Sequence, residues 1–179
     1  VTGFKIVNDK ITKVMTTDAH IPTDAVIMAI GFHPNTAFIT DPRLEKLQNG
    51  AIIIDQYGET SIPDVFSAGD CASVPHRQLG NRYIPLATYA NKLGRIIGHN
   101  IVSDKQDYLS FPGALGSSLL KVGRYEAGST GLTEKMAKDA GIPYKTTLIK
   151  TPNHTNYYRG QVSLTIKLLY SPESKVLLG

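Results

Sequence analysis

Residues 60–72, TSIPDVFSAGDCA, hold the densest set of chemically useful groups in the 179-residue chain. A short run, Val65-Phe66-Ser67-Ala68, leads straight into Gly69 and Asp70. If the run is a buried strand, it delivers both residues to a strand's C-terminal end, where open α/β sheets place ligands. Glycine lets a ligand approach the backbone, and an ionised aspartate offers two acceptor oxygens suited to ribose or ribityl hydroxyls. A helix predicted to start near Pro85 follows within about one loop length. Its first turn carries unpaired N–H groups and partial positive charge. One carboxylate for hydroxyls and one helix terminus for an electron-rich ring edge could thus stand side by side. The same residues would equally serve as a plain strand-loop-helix joint, with Asp70 capping a turn.

Other candidates are sparser. Cys71 is the only cysteine, so no internal disulfide forms, and one thiol fits a reducing compartment. It follows the apolar run directly and reads as a structural, inert thiol. His20, His33, His76 and His99 have no ligand-like spacing with carboxylates or Cys71, so no metal site is expected. Residues 153–160, NHTNYYRG, place Tyr157 and Tyr158 in a polar loop. Such a pair offers apolar faces and hydroxyls to an interface, although one core and one surface tyrosine would look the same. No G-x-G-x-x-G follows a strand anywhere in the chain.

The elements that must position these groups follow from periodicity. Residues 4–7 and 11–15 are β-prone and flank Asn8-Asp9-Lys10, a hairpin signal. Residues 24–30, DAVIMAI, suit a strand buried on both faces of a parallel sheet, and residues 31–35 a loop. Residues 51–55 form another short apolar strand, with a turn at Tyr57-Gly58. A helix is predicted over residues 85–103, with Ala87, Ala90, Gly94, Ile97, Gly98 and Ile101 on its packed face. The two glycines cost helix stability, about 1 kcal/mol each against alanine, so a close neighbour is expected there. Beyond Phe111-Pro112-Gly113 the pattern changes to short β-prone runs and polar turns. Thr133 caps a short helix that ends at Gly141. Val162, Leu164, Ile166 and Leu168 alternate with polar residues, as in a half-buried antiparallel strand. A domain boundary falls near residue 110. The fold class is α/β followed by α+β.

The bulk properties set outer limits. Hydrophobic residues make up 41% and charged residues 19%, an ordinary globular balance. No stretch nears the roughly 18 apolar residues of a membrane span, and the start has no signal-peptide pattern. The net charge is +4 and the pI about 9.1, but Lys and Arg are dispersed, which argues against nucleic acid. The chain opens without methionine just ahead of a strand and closes on Val176-Leu177-Leu178-Gly179, which reads as a strand barely begun. Both ends are therefore expected to be truncations.

Thr60, Pro63, Val65, Phe66, Gly69 and Asp70 together match T-x-x-P-x-[VI]-[FY]-x-x-G-D. This resembles the second flavin-binding signature of the FAD-dependent pyridine nucleotide–disulfide oxidoreductases. Ala29-Ile30-Gly31 with Pro34-Asn35 resembles the step where that family's chain leaves its NAD domain and re-enters its FAD domain. Leu86-Ala87-Thr88 resembles the segment whose backbone meets the flavin ring. Residues 153–160 resemble the H-x-N-Y-Y-x-G stretch of the interface domain in coenzyme A-disulfide reductases. Arg159 stands where proline is usual, and Asn91 where some members carry histidine.

The resemblance implies a division into residues 1–30, the tail of an NAD(P)-binding domain; 31–110, the C-terminal half of a Rossmann-like FAD-binding domain; and 111–179, an antiparallel-sheet dimerisation domain truncated at its C-terminus. It assigns FAD to Thr60, Gly69, Asp70, Leu86, Ala87 and Thr88. Tyr158, with Tyr157 nearby, would assist the partner subunit's catalytic centre, and Asn91 and His154 would contact a coenzyme A-type substrate. It implies a cytoplasmic homodimer that passes electrons from NAD(P)H through FAD and a cysteine to coenzyme A disulfide. The family's redox cysteine and both G-x-G-x-x-G fingerprints belong upstream of Val1, so this chain alone is expected to be inactive and to hold FAD weakly. An NADH oxidase or peroxidase of the same superfamily is the nearest alternative. A non-catalytic dimerisation module is the alternative of another class.

Overall fold

Asn8 and Asp9 both lie at positive φ, 50° and 58°, the geometry of a two-residue turn whose twist matches that of the strands it joins. The turn links β1 (Gly3–Val7) to β2 (Lys10–Met15), antiparallel with a bulge between Lys5 and Ile6. β3 (His20–Pro22), not anticipated from sequence, pairs with the other edge of β2. The computed structural model describes residues 1–179, which divide into two compact units, Val1–Phe32 and His33–Gly179. In the first unit the predicted strand over residues 24–30 does not form. Ile27 is 92% exposed and Ile30 84% exposed, and both lie in irregular backbone. An apolar run becomes a strand only by pairing, and no segment of this chain pairs with it.

In the second unit, residues 51–55 and 65–68 are also not full strands. They are held by isolated bridges, antiparallel between Glu59 and Phe66 and parallel between Ile52 and Ala72. β4 (Val74–His76) and β5 (Gly80–Arg82) make a small antiparallel ribbon. α1 (Ala87–Asn100) follows and packs against the 3-10 turn at Gly69–Cys71. Its buried residues are Tyr89, Leu93, Ile97 and Asn100, spaced four, four and three apart. This corrects the predicted face. Gly94 and Gly98 are exposed, and a Cβ at either would meet nothing within 4 Å. The larger apolar side chains won, because burying Tyr89 and Leu93 removes far more surface from water than burying glycines. Tyr89 and Leu93 join Ile54, Ala72, Val74, Phe111 and Ala114 in one core.

The last third follows its predicted elements closely. β6 (Ser118–Val122) and β7 (Tyr125–Ser129) form one hairpin. α2 (Glu134–Asp139) is capped by the Thr133 hydroxyl, which accepts from Met136 N–H, and Gly141 at φ 65° ends it. β8 (Lys145–Pro152) and β9 (Ser163–Tyr170) form the second hairpin. Leu132, Ala137 and Leu169 make a second core, with Leu79, Met136, Ile142, Tyr144 and Leu178 against it. The predicted half-burial of β9 is not observed. Leu164 and Ile166 stay exposed and line a groove of about 800 Å³ between β9 and β7. No part of the chain lies between those two edges to cover them.

Two contacts seat α1. Asn100 is fully buried; its amide N–H₂ donates to the carbonyls of Tyr57 and Leu109 at 3.0 Å each, and its carbonyl accepts from Leu109 N–H at 2.8 Å. Gly58 sits at φ +85°, where a Cβ would come within 2.4 Å of Ile97 Cγ1. Replacing Asn100 with alanine removes three hydrogen bonds to part-buried backbone groups of Tyr57 and Leu109, at about 0.5–1.5 kcal/mol each. Urea unfolding of Asn100→Ala should therefore show a loss of about 2–4 kcal/mol, and an unchanged midpoint would refute the seating role.

Candidate functional site

Thr60 shapes the approach to the site. Its hydroxyl accepts from Ile62 N–H at 3.2 Å, and its N–H donates to Val65 O at 2.8 Å, closing a turn around Pro63 and Asp64. Asp64 takes positive φ, 61°, within it. The chain then runs through Ser67, whose N–H donates to Gly58 O at 3.1 Å, into a 3-10 turn at Gly69–Cys71. That turn is fixed from behind. Ile52 N–H donates to Cys71 O at 2.9 Å, and Ser73 N–H donates to Ile52 O at 2.7 Å. Ser73, wholly buried, adds a hydroxyl bond to Asn81 Oδ1 at 3.0 Å. Cys71 donates its thiol to Ala68 O at 3.2 Å and lies 3.5 Å from Ser67 Oγ, contacts of a structural thiol.

On this frame the front of the turn is left open. Asp70 is exposed, and its carboxylate makes no hydrogen bond or ion pair with the chain. Gly69 lies at φ +80°, with nothing within 4 Å of where a Cβ would stand. The turn packs directly against α1. The helix starts after Leu86, which has no side-chain oxygen to cap it, and Ala87 and Thr88 are exposed. The Ala87 and Thr88 N–H groups therefore have no acceptor within the helix, while the Tyr89 and Ala90 N–H groups both donate to Leu86 O, at 2.9 and 3.2 Å. An acceptor carboxylate and a set of free donors stand on adjoining elements, as the chemistry of a polyhydroxyl chain joined to an electron-rich ring requires. These residues fit a flavin.

Tyr83 borders the same place and was not singled out from the sequence. Burial raises its hydroxyl pKa, and the charges of Asp70 and Cys71 raise it further. Its position before Pro85 carried no recognisable signal, because only the fold brings it near Asp70. Asn91, one turn into α1, is exposed on the side of the helix away from the core.

His154, Tyr157 and Tyr158 gather elsewhere, in the loop between β8 and β9. The two tyrosine rings lie 4.8 Å apart, and His154 meets Tyr158 edge-on at 6.3 Å. The loop is closed by its own bonds, among them Val162 N–H to Asn153 Oδ1 at 3.0 Å and Gln161 Nε2 to His154 O at 2.7 Å. Both tyrosines are mostly exposed, 77% and 64%. No hydrogen bond, ion pair or ring contact joins this loop to Asp70 or α1 within the chain. No group of three or more His, Cys, Asp or Glu side chains could hold a metal ion, and no helix is long and apolar enough to cross a membrane.

Residues 1–94 match the family model "Pyridine nucleotide-disulphide oxidoreductase", and residues 118–179 match the dimerisation domain of the same family. The chain is similar to an NADH oxidase of Enterococcus faecalis, 34% identical over 95% of this chain and 37% of that protein. It is similar to a CoA-dependent NAD(P)H sulfur oxidoreductase of Pyrococcus furiosus, 35% identical over 96% of this chain and 38% of that protein. Among solved structures, an NAD-dependent persulfide reductase from A. fulgidus superposes with a TM-score of 0.87 at 31% identity, over 98% of this chain and 32% of that one. A water-forming NADH oxidase from Lactobacillus brevis, bound to NADH, gives 0.87 at 31% identity, over 98% of this chain and 38% of that one. The chain thus spans well under half the length of the curated relatives it matches.

The placement of Tyr83 can be tested directly. Asp70→Asn removes a negative charge that disfavours the phenolate, so the Tyr83 pKa should fall toward the ordinary value near 10 while the part due to burial persists. A tyrosine ultraviolet difference titration, with Tyr83→Phe to identify the signal, reads the shift. An unchanged Tyr83 titration would place Asp70 away from it.

Proposed function

The chain belongs to the pyridine nucleotide-disulphide oxidoreductases, and we propose that it is part of a flavoprotein that takes electrons from NAD(P)H and passes them through FAD and a cysteine to a coenzyme A disulfide. One observation carries this reading: the free Asp70 carboxylate and the uncapped start of α1 stand on packed, adjoining elements. When bound, FAD supplies two-electron chemistry between a nicotinamide and a thiol–disulfide pair.

The residues of this chain bind and orient. Asp70 would accept hydrogen bonds from ribityl hydroxyls. The Ala87 and Thr88 N–H groups, after Leu86, would donate to ring acceptors, aided by the partial positive charge of the helix terminus. Gly69 lets the ligand lie against bare backbone, and Thr60 holds the turn that aims this segment. Residues 1–30 would complete an NAD(P)-binding domain, 31–110 the FAD-binding domain and 111–179 the dimerisation domain. In the homodimer Tyr158, supported by its ring contact with Tyr157, would reach the partner's centre and donate a hydrogen bond to the leaving thiolate. His154 and Asn91 would contact the coenzyme A-type substrate.

The CoA-dependent relative from P. furiosus supports the coenzyme A reading, and the NADH oxidase relative from E. faecalis supports the second reading, reduction of oxygen or peroxide.

The test requires the complete flavoprotein that contains this chain. Asp70→Ala should lose bound flavin on gel filtration, read as the ratio of 450 nm to 280 nm absorbance, by about tenfold or more in affinity for a charge-assisted contact. Tyr158→Phe should retain flavin yet cut kcat with coenzyme A disulfide by about tenfold to a hundredfold, the range for one removed transition-state donor. Full flavin retention in Asp70→Ala would sink the site. Turnover with oxygen but none with coenzyme A disulfide would replace the substrate reading by the oxidase.

A further inference from the structure

His76 ends β4 and is buried, 5% exposed, yet it plays no part in the candidate flavin site. Its Nδ1 accepts the Gln78 N–H at 3.1 Å, which fixes the neutral tautomer with hydrogen on Nε2. Nε2 is buried and makes no hydrogen bond of normal geometry, with the Leu115 backbone the nearest group to favour its proton. The turn that His76 braces touches both cores of the second unit. Arg77 N–H donates to Ala114 O at 3.0 Å and Ala114 N–H to Pro75 O at 2.8 Å, tying the turn to the first core, which includes Ala114. Arg77 Nε donates to Pro112 O at 3.1 Å. On the other side Gln78 Nε2 donates to Leu178 O at 3.1 Å, and Leu79 packs on the second core. Leu178 in turn bonds Leu132 and Leu169 of that core.

We propose that residues 76–79 form a proton-sensitive latch between the two cores, closed while His76 is neutral and released when it is protonated. The chemistry is local. Protonation turns Nδ1 from acceptor into donor, so it opposes the Gln78 N–H instead of holding it. It also places a positive charge in a buried site with no compensating carboxylate. The charged groups around His76 are Arg82 on β5, across the ribbon, and Arg77, next in the chain. The 111–116 connector offers only backbone groups there, and the Tyr89 hydroxyl of α1 already accepts Gly116 N–H at 2.8 Å. Burial, then Arg82, holds the imidazole pKa below its ordinary value, and the Leu115 backbone opposes this in part. The sign follows. A pKa lowered in the closed state means the latch is fully stabilised above about pH 6.5 and weakens as pH falls through that value.

Amide hydrogen exchange by NMR on the full chain, corrected for intrinsic rates, tests this together with the His76 Cε1 shift. Below pH 6.5 the protection of the Arg77 and Gln78 amides, held by Ala114 O and His76 Nδ1, should fall together, by about tenfold per pH unit until His76 is protonated in the closed state. Protection of Leu93 in α1 and Ala137 in α2 should hold. His76→Asn, whose Oδ1 can accept the same N–H and cannot be charged, should keep the latch protected in acid. His76→Ala should lose protection at every pH. Equal protection across the His76 titration would overturn the latch, as would an acid loss in His76→Asn matching the unsubstituted chain. If neither variant folds, the coincidence of the His76 shift with the loss at Arg77 and Gln78 decides alone.

Discussion

Everything in the second unit that concerns the candidate flavin site depends on how α1 is seated. One face of the helix is fixed by apolar burial at Tyr89, Leu93 and Ile97, worth about 2 kcal/mol per large side chain. Burial alone leaves a helix free to slide or roll. Asn100 removes that freedom, because its amide satisfies groups on two separate loops at once. Gly58 sets the distance of approach, since only a residue without a Cβ lets the 55–59 loop meet Ile97. With its C-terminal end held so, the N-terminal end of α1 has a defined place beside the Gly69–Cys71 turn.

The contrast between satisfied and open polar groups marks the site. Behind the turn, Ser73, Asn81, Ile52 and Cys71 exchange hydrogen bonds in full. In front, the Asp70 carboxylate and the Ala87 and Thr88 N–H groups of α1 have nothing to bond within the chain. An acceptor and two donors left open on packed elements are what the proposed ligand would need. The rigid backing matters as much as the open front, because ordering these elements on binding would subtract from affinity.

Large apolar side chains stay exposed elsewhere in the chain. The β6–β7 hairpin is exposed along its length, including Leu119 and Leu120. The groove between β7 and β9 bares Leu164 and Ile166, and residues 24–30 carry exposed Ile27 and Ile30. Residues 118–179 match a dimerisation domain, and the chain covers only 37–38% of its relatives.

The elements set by local physics were legible in the residues. Asn8-Asp9 tolerate positive φ, so the first hairpin was readable. Thr133 and Gly141 cap and stop α2, so that helix was too. The fingerprint over Thr60 to Asp70 was legible as a resemblance to one family, and the Thr60 turn it begins with closes on bonds local to the segment. What tertiary structure alone decided was which faces are buried. The Ala87, Gly94 and Gly98 stripe looked like the packed side of α1, but Tyr89, Leu93 and Asn100 occupy it. The alternating leucines of β9 looked half-buried, but no segment lies over them. Residues 24–30 looked like a central strand, but found no partner to pair with. Periodicity records that a face is apolar; only the neighbours present in the fold determine whether it is covered. The nearness of Tyr83 to Asp70 and of His76 to the seam between two cores arises the same way, from contacts between segments distant in sequence or turned toward one another by packing.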